Sequence, residues 1–171
     1  MHVSAFKWVR DQVGEFRGGQ FLRDVDTVVE FGSLDINGGI RGAFPASVSW
    51  WGIDVQDGSG VDEVADAADW TPVAPVDCVV CCEVLEHTDK GAQICRSAAR
   101  ALRPGGLFVG TCAGPERAPH SAIDDAPIRD WEFYRNVDAD LLEVWLHSAE
   151  FRGFHTDYGR GGHDLYWAAW T

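Results

Sequence analysis

The stretch that decides the fold is Val76-Asp77-Cys78-Val79-Val80-Cys81-Cys82-Glu83-Val84-Leu85-Glu86-His87. Its first seven residues are apolar except for Asp77 and show no period-two alternation. That pattern suits a central strand of a parallel sheet, buried on both faces. The run then turns abruptly polar at Glu83. In open α/β sheets, ligands bind beyond the carboxyl ends of the strands, so this edge is where functional residues are expected.

Working outward, strands and helical stretches alternate. Residues 3–16 carry Phe6, Val9, Val13 and Phe16 at helical spacing, and Gly18-Gly19 ends that helix. Residues 25–31 are rich in β-branched side chains and close on Gly32, which reads as strand 1. Residues 47–54 form strand 2 and residues 61–65 a short strand 3. Residues 88–102 form a helix with Thr88 as its N-cap, broken by Arg103-Pro-Gly-Gly106 before a strand at 107–111. Residues 112–137 are rich in proline and aspartate and form an insertion longer than an ordinary connection. Asp138 caps a helix to residue 149, and strands at 154–158 and 164–170 make a closing hairpin around Gly159-Arg-Gly-Gly162. The expectation is one domain over residues 1–171, with residues 1–24 as an N-terminal helical segment.

Composition narrows the function. The 171 residues carry 27 acidic and 14 basic side chains, a formal charge of −13, which repels phosphate backbones and argues against nucleic acid as a partner. No apolar run is long enough to span a bilayer. The first residues lack a signal peptide's charged and apolar regions, so a cytoplasmic location is expected. Five cysteines in apolar surroundings read as reduced, buried thiols. Cys78 and Cys81 have metal-motif spacing, but three residues along a strand places them on opposite faces. His2, His147, His155 and His163 show no metal-ligand pair, and Glu83-Val-Leu-Glu-His87 lacks the second histidine of a zinc-protease helix. No metal site is expected.

Each strand end carries a chemically useful residue. Glu30 and Gly32 follow strand 1; the glycine lets a ligand approach the backbone and the acid can hold an ammonium group. Asp54 ends strand 2 and can accept from both hydroxyls of a ribose. Asp66-Ala67 follows strand 3, where an acid can meet an adenine amino group and alanine leaves room for the ring. Taken singly, each also suits a plain strand-ending turn.

Together, Glu30-x-Gly32, Gly52-x-Asp54, Asp66-Ala67, Glu83-Val-Leu-Glu-His87 and Leu102-Arg-Pro-Gly-Gly106 resemble the class I S-adenosylmethionine-dependent methyltransferases in order and spacing, over about residues 25–112 and the closing hairpin. The resemblance implies an α/β, Rossmann-like, doubly wound and mostly parallel seven-stranded sheet of order 3-2-1-4-5-7-6, with strand 7 antiparallel. It implies S-adenosyl-L-methionine as cofactor and S-adenosyl-L-homocysteine as product. Glu30, Gly32 and Ser33 would lie along the methionine moiety, and Asp54 would hold the ribose with Val55 beside the adenine. Asp66 and Ala67 would meet the adenine edge, and Cys82 and Glu83 would lie near the sulfonium. The loop after strand 1 departs from the family pattern: Leu34 and Ile36 stand where glycines are usual, and Asn37-Gly38-Gly39 follows.

The expected acceptor is a small molecule carrying a saccharide or phenolic hydroxyl. His120, in the insertion, and His87, after strand 4, are the candidate bases. Trp131 and Tyr134 can form a surface for a sugar or phenol, and Trp8 lies off its helix's apolar stripe, where it can line the opening. Two other classes stay open on the residues alone: a nicotinamide-dependent oxidoreductase, which Asp54 would suit, and a non-catalytic cofactor-binding module.

Overall fold

The computed structural model describes residues 3–18, 25–124 and 126–171, with side chains for all of these except 15–18. Residues 1–2 and 19–24, parts of the expected N-terminal segment, lie outside the described residues. The elements are α1 (Val3–Gly18), β1 (Thr27–Phe31), β2 (Ser49–Asp54), β3 (Glu63–Val64), β4 (Val76–Cys82), α2 (Gly91–Ala101), β5 (Leu102–Ala113), α3 (Ala139–Ser148), β6 (Gly153–Gly159) and β7 (Asp164–Trp170). They form one seven-stranded sheet, ordered β3-β2-β1-β4-β5-β7-β6. Strands β1 to β5 pair in parallel, and β7 runs antiparallel to both β5 and β6. This is the order that the resemblance implies. No described helix is long and apolar enough to cross a membrane.

β4 lies at the centre because it has no polar face. Val79 and Cys81 pack into a core shared with Ile94, Cys95 and Ala98 of α2 and Leu142, Trp145 and Leu146 of α3. Cys78 and Val80 pack on the other side, with Val9 and Val13 of α1 and with Ile40 and Phe44. The sulfurs of Cys78 and Cys81 therefore face opposite layers, and all five cysteines are free and buried. The polar exception, Asp77, has a tying role. Its carboxylate accepts from the N–H groups of Asp26 and Thr27 at 3.0 and 2.8 Å and from the Thr27 hydroxyl at 2.8 Å. It also accepts from Arg103 Nε of β5 at 2.5 Å, so it clamps the entry ends of three adjacent strands.

Between β1 and β2 the chain runs through a loop with a single 3-10 turn, Arg41–Ala43, and Ile40 and Phe44 cover the sheet there. Three expectations need correction. Thr88 is not the N-cap of α2. A 3-10 turn, Leu85–His87, comes first, and the Thr88 hydroxyl accepts from the N–H of Lys90 at 3.1 Å in a local turn. Arg103-Pro-Gly-Gly106 does not break the chain before β5; it is an irregularity within that strand, where the register jumps between the pairs Val76–Leu102 and Cys78–Leu107. Trp8 stacks on Tyr166 with ring centroids 5.3 Å apart, and it does not line the cavity described below.

Asp77→Ala removes four charge-assisted contacts from a half-buried group. We expect a loss of unfolding free energy of about 2 kcal/mol or more, read from denaturant titration. A loss below about 0.5 kcal/mol would show that water replaces the clamp.

Candidate functional site

The neighbours of β1 are β2 and β4, so its two flanking crossovers leave in opposite directions and a cleft opens at the carboxyl edge. A cavity of about 720 Å³ occupies this position, within the range of small-molecule sites. Of the residues expected at the cofactor, Glu30, Gly32, Ser33, Asp54, Val55, Asp66, Ala67, Cys82 and Glu83 all line it, as do His87, His120 and Trp131. Tyr134 does not. It sits behind the two imidazoles, 5.4 Å from His87 and 5.1 Å from His120 between ring centroids, while Phe133 takes the lining position.

The wall built by β1 and β2 depends on close backbone approach. Gly32 has φ +76°, and a Cβ there would collide with Val84. A Cβ on Gly52 would collide with the Gly60 carbonyl and the Ser33 side chain, because the loops after β1 and β2 cross at that point. The crossing is pinned by Asp62, which accepts from the Gly52 N–H at 2.8 Å and from Arg41 at 3.0 Å. Asp54 is half-buried. Its two oxygens accept from the N–H groups of Leu34 at 3.1 Å and Gln56 at 3.0 Å. A carboxylate has about four acceptor positions, so each oxygen keeps capacity for a ligand hydroxyl.

The other acids are more engaged. Glu30 accepts from Trp50 Nε1 at 3.0 Å and lies 3.9 Å from Arg41 Nε. Burial raises its pKa to about 7, against the Trp50 hydrogen bond and the charge of Arg41. Asp66 pairs with Lys90 at 2.7 Å, and that contact holds it below the usual carboxylate range. Glu83 has φ +58°, rare for a residue with a side chain. The conformation is held by the Glu83 N–H donating to the Thr111 carbonyl at 2.7 Å, and by the Thr111 hydroxyl donating to the Glu83 carboxylate at 2.9 Å. Strain of this kind concentrates where a chain must present a group to a site.

Sequence reasoning missed two features. Arg117, from the insertion, lines the cavity and bridges Glu83 at 3.3 Å and Asp164 of β7 at 2.6 Å. Glu86 is fully buried behind the cavity, and burial and then the charge of Glu83 raise its pKa to about 8. Its neighbours His87 and His120 stand 5.0 Å apart, centroid to centroid. The one available signal was the second acid of Glu83-Val-Leu-Glu-His87.

The residues suit an adenosyl amino acid on one further observation. The hydroxyl oxygen of Ser33 is buried on the cavity wall with no hydrogen-bond partner among the described residues, an arrangement that a polar ligand relieves. Residues 54–110 match a family described as a methyltransferase domain. An S-adenosylmethionine-dependent methyltransferase from Clostridium acetobutylicum superposes with a TM-score of 0.69 at 12% identity, over 96% of this chain and 90% of that one. The 1,6-didemethyltoxoflavin-N1-methyltransferase of Burkholderia thailandensis, solved with 1,6-didemethyltoxoflavin and S-adenosylhomocysteine, gives 0.72 at 14% identity, over 98% and 78%. The N-terminal domain of EvdMO1, solved in the presence of S-adenosylhomocysteine and D-fucose, gives 0.66 at 15%, over 96% and 83%. No curated protein matches by sequence. The sheet order and the cleft define a Rossmann-like α/β fold, shared with the Clostridium and Burkholderia methyltransferases. The match to the methyltransferase-domain family runs from the end of β2 into β5.

Glu30 and Glu86 keep their protons to higher pH when folded than when unfolded. Their stabilising contribution is complete below the ordinary glutamate value and is lost as pH rises through about 7 and 8. The unfolding free energy should fall between about pH 5 and 8, and Glu86→Gln should flatten that slope. Equal slopes in both proteins would contradict the protonation of Glu86.

Proposed function

We propose that the chain is an S-adenosylmethionine-dependent methyltransferase that acts on a hydroxyl of a small molecule, a phenol or a sugar. The observation that carries this reading is the pair of imidazoles, His87 and His120, on the cavity wall next to Glu83 and the insertion. An oxygen acceptor must shed a proton as it is methylated, whereas many nitrogen acceptors need not. When bound, S-adenosylmethionine supplies a methyl group on a cationic sulfur, so the chain has only to orient the acceptor and manage its proton.

Asp54 would hold the ribose hydroxyls, with Val55 and Ala67 against the adenine and Asp66 at its edge. Glu30, Gly32 and Ser33 would line the methionine moiety, with Cys82 and Glu83 nearest the sulfur. His120 Nδ1 lies 3.2 Å from the Ala118 carbonyl, which can only accept. Nδ1 therefore carries the hydrogen and Nε2 keeps a lone pair to take the hydroxyl proton. Taking that proton would leave the acceptor oxygen free to receive the methyl group. Trp131, exposed at the rim, and Phe133 offer faces to an aromatic ring or a sugar. The D-fucose present with EvdMO1 supports a sugar as one form of acceptor.

Asp54→Ala should raise the dissociation constant for S-adenosylhomocysteine about tenfold or more, because each lost charge-assisted bond is worth about 1.5–3 kcal/mol. Calorimetry on the folded variant checks this, and unchanged affinity would reduce Asp54 to a turn residue. His120→Ala should lower turnover by about 10²-fold with S-adenosylhomocysteine affinity intact. A phenol acceptor should regain rate at higher pH and a sugar should not. Unchanged turnover would remove His120 from the reaction.

A further inference from the structure

We propose that Glu86, His87 and His120 form a binding site for a divalent transition-metal ion of the zinc class, open to the cavity on one side. A carboxylate oxygen of Glu86 and one ring nitrogen from each histidine all lie within 4.8 Å of one another. Glu86 is fully buried, and the two histidines are half-buried and line the cavity.

The second observation is a buried carboxyl oxygen with no partner. Glu86 Oε1 accepts from the N–H of Ala113 at 2.9 Å, while Oε2 is buried with no hydrogen-bond partner among the described residues. A buried carboxyl oxygen without a partner is costly. A cation between Glu86 and two imidazoles removes that cost and lets Glu86 ionise.

The surroundings orient the ligands as metal sites require. The Ala118 carbonyl takes the Nδ1–H of His120, which leaves Nε2 as the ligating atom, and such outer partners fix tautomer and ring direction at metal sites. Tyr134 packs edge-on against both rings. The Ala113 N–H holds the Glu86 carboxylate, and the Glu86 carbonyl accepts from the N–H of Arg135 at 2.8 Å, tying the insertion to this turn. Two imidazoles and one carboxylate select a zinc-class ion over magnesium, which prefers oxygen and water. Bonds of about 2.0–2.1 Å in a tetrahedron set ligand atoms roughly 3.3 Å apart, so the three groups must close inward on the ion. Rotation of the two imidazoles and the carboxylate about their side-chain bonds can supply that closure while the loop backbone stays in place.

Three protein ligands leave one position vacant, as in catalytic zinc sites. Resting on the methyltransferase reading, that position would take the acceptor's hydroxyl oxygen and lower its pKa. The ion would replace His120 as the means of removing that proton: with it bound both imidazoles would be ligands and the proton would pass to solvent, and without it His120 Nε2 takes the proton. The excluded cysteine motif plays no part, and the site escaped the sequence because its histidines come from separate loops.

The test is titration of the chelator-treated full chain with Co²⁺, followed by visible absorption and by displacement with Zn²⁺. We expect one ion per chain, with the ligand-field bands of a four- or five-coordinate nitrogen–oxygen site. His87→Ala and His120→Ala should each weaken binding about tenfold or more, while His147→Ala, on α3, should leave it unchanged. Absence of bands in the wild type, thiolate charge-transfer bands, or binding that survives the His87→Ala/His120→Ala double variant would overturn the proposal. S-adenosylhomocysteine calorimetry on the same samples reports folding and separates the two claims. Cofactor heat without cobalt binding sinks the metal site alone, and cobalt binding without cofactor heat sinks the methyltransferase reading alone.

Discussion

β4 has neighbours on every side: β1 and β5 along its edges, and helical layers above and below. Burying a valine-sized side chain is worth about 1.5–3 kcal/mol, and this strand does so on both faces at once. A strand like that can only be central. Its register then sets β1 and β5, and through them β2 and β7. The cleft follows from the same constraint, because the crossovers beside β1 diverge where β4 ends.

What happens at that end links fold to chemistry. The chain leaves β4 through Glu83 in a left-handed conformation and turns at once into Leu85–His87. Glu83 is held by Thr111 of β5 and by Arg117, which also grips Asp164, and Asp164 accepts from the hydroxyl of Tyr166 at 3.0 Å. The insertion is therefore not a loose flap. Arg129 donates to Ser121, Asp124 and Glu132, and Asn136 donates to the Arg117 carbonyl at 2.8 Å. These contacts fix the loop that carries His120 beside the turn that carries His87.

The sheet was legible in the sequence because apolar runs and strand-end acids are local signals. The run from Val76 to Cys82 shows its own burial, and Gly32 and Asp54 show where strands stop. Misreadings arose where local chemistry had two outcomes. Thr88 next to a helix can cap it or close a turn, and the Pro104-Gly105 pair can break a helix or bulge a strand. Residues meeting across the fold left the least trace. Nothing near Arg117 announces Glu83 and Asp164 as partners, and Glu86 reads as one more surface acid until β5 and the insertion close over it. The site was thus visible as a set of strand ends, while the Glu86–His87–His120 cluster was not.

The central claim is that the cleft beside β1 still accepts an adenosyl amino acid although Leu34 and Ile36 replace the usual glycines. The most direct measurement is calorimetric titration of the wild-type chain with S-adenosylhomocysteine, with NAD⁺ in a parallel cell. The account predicts saturable one-to-one binding of S-adenosylhomocysteine at micromolar concentration and no heat from NAD⁺. No heat and no thermal shift with millimolar S-adenosylhomocysteine, or preferential binding of NAD⁺, would contradict it.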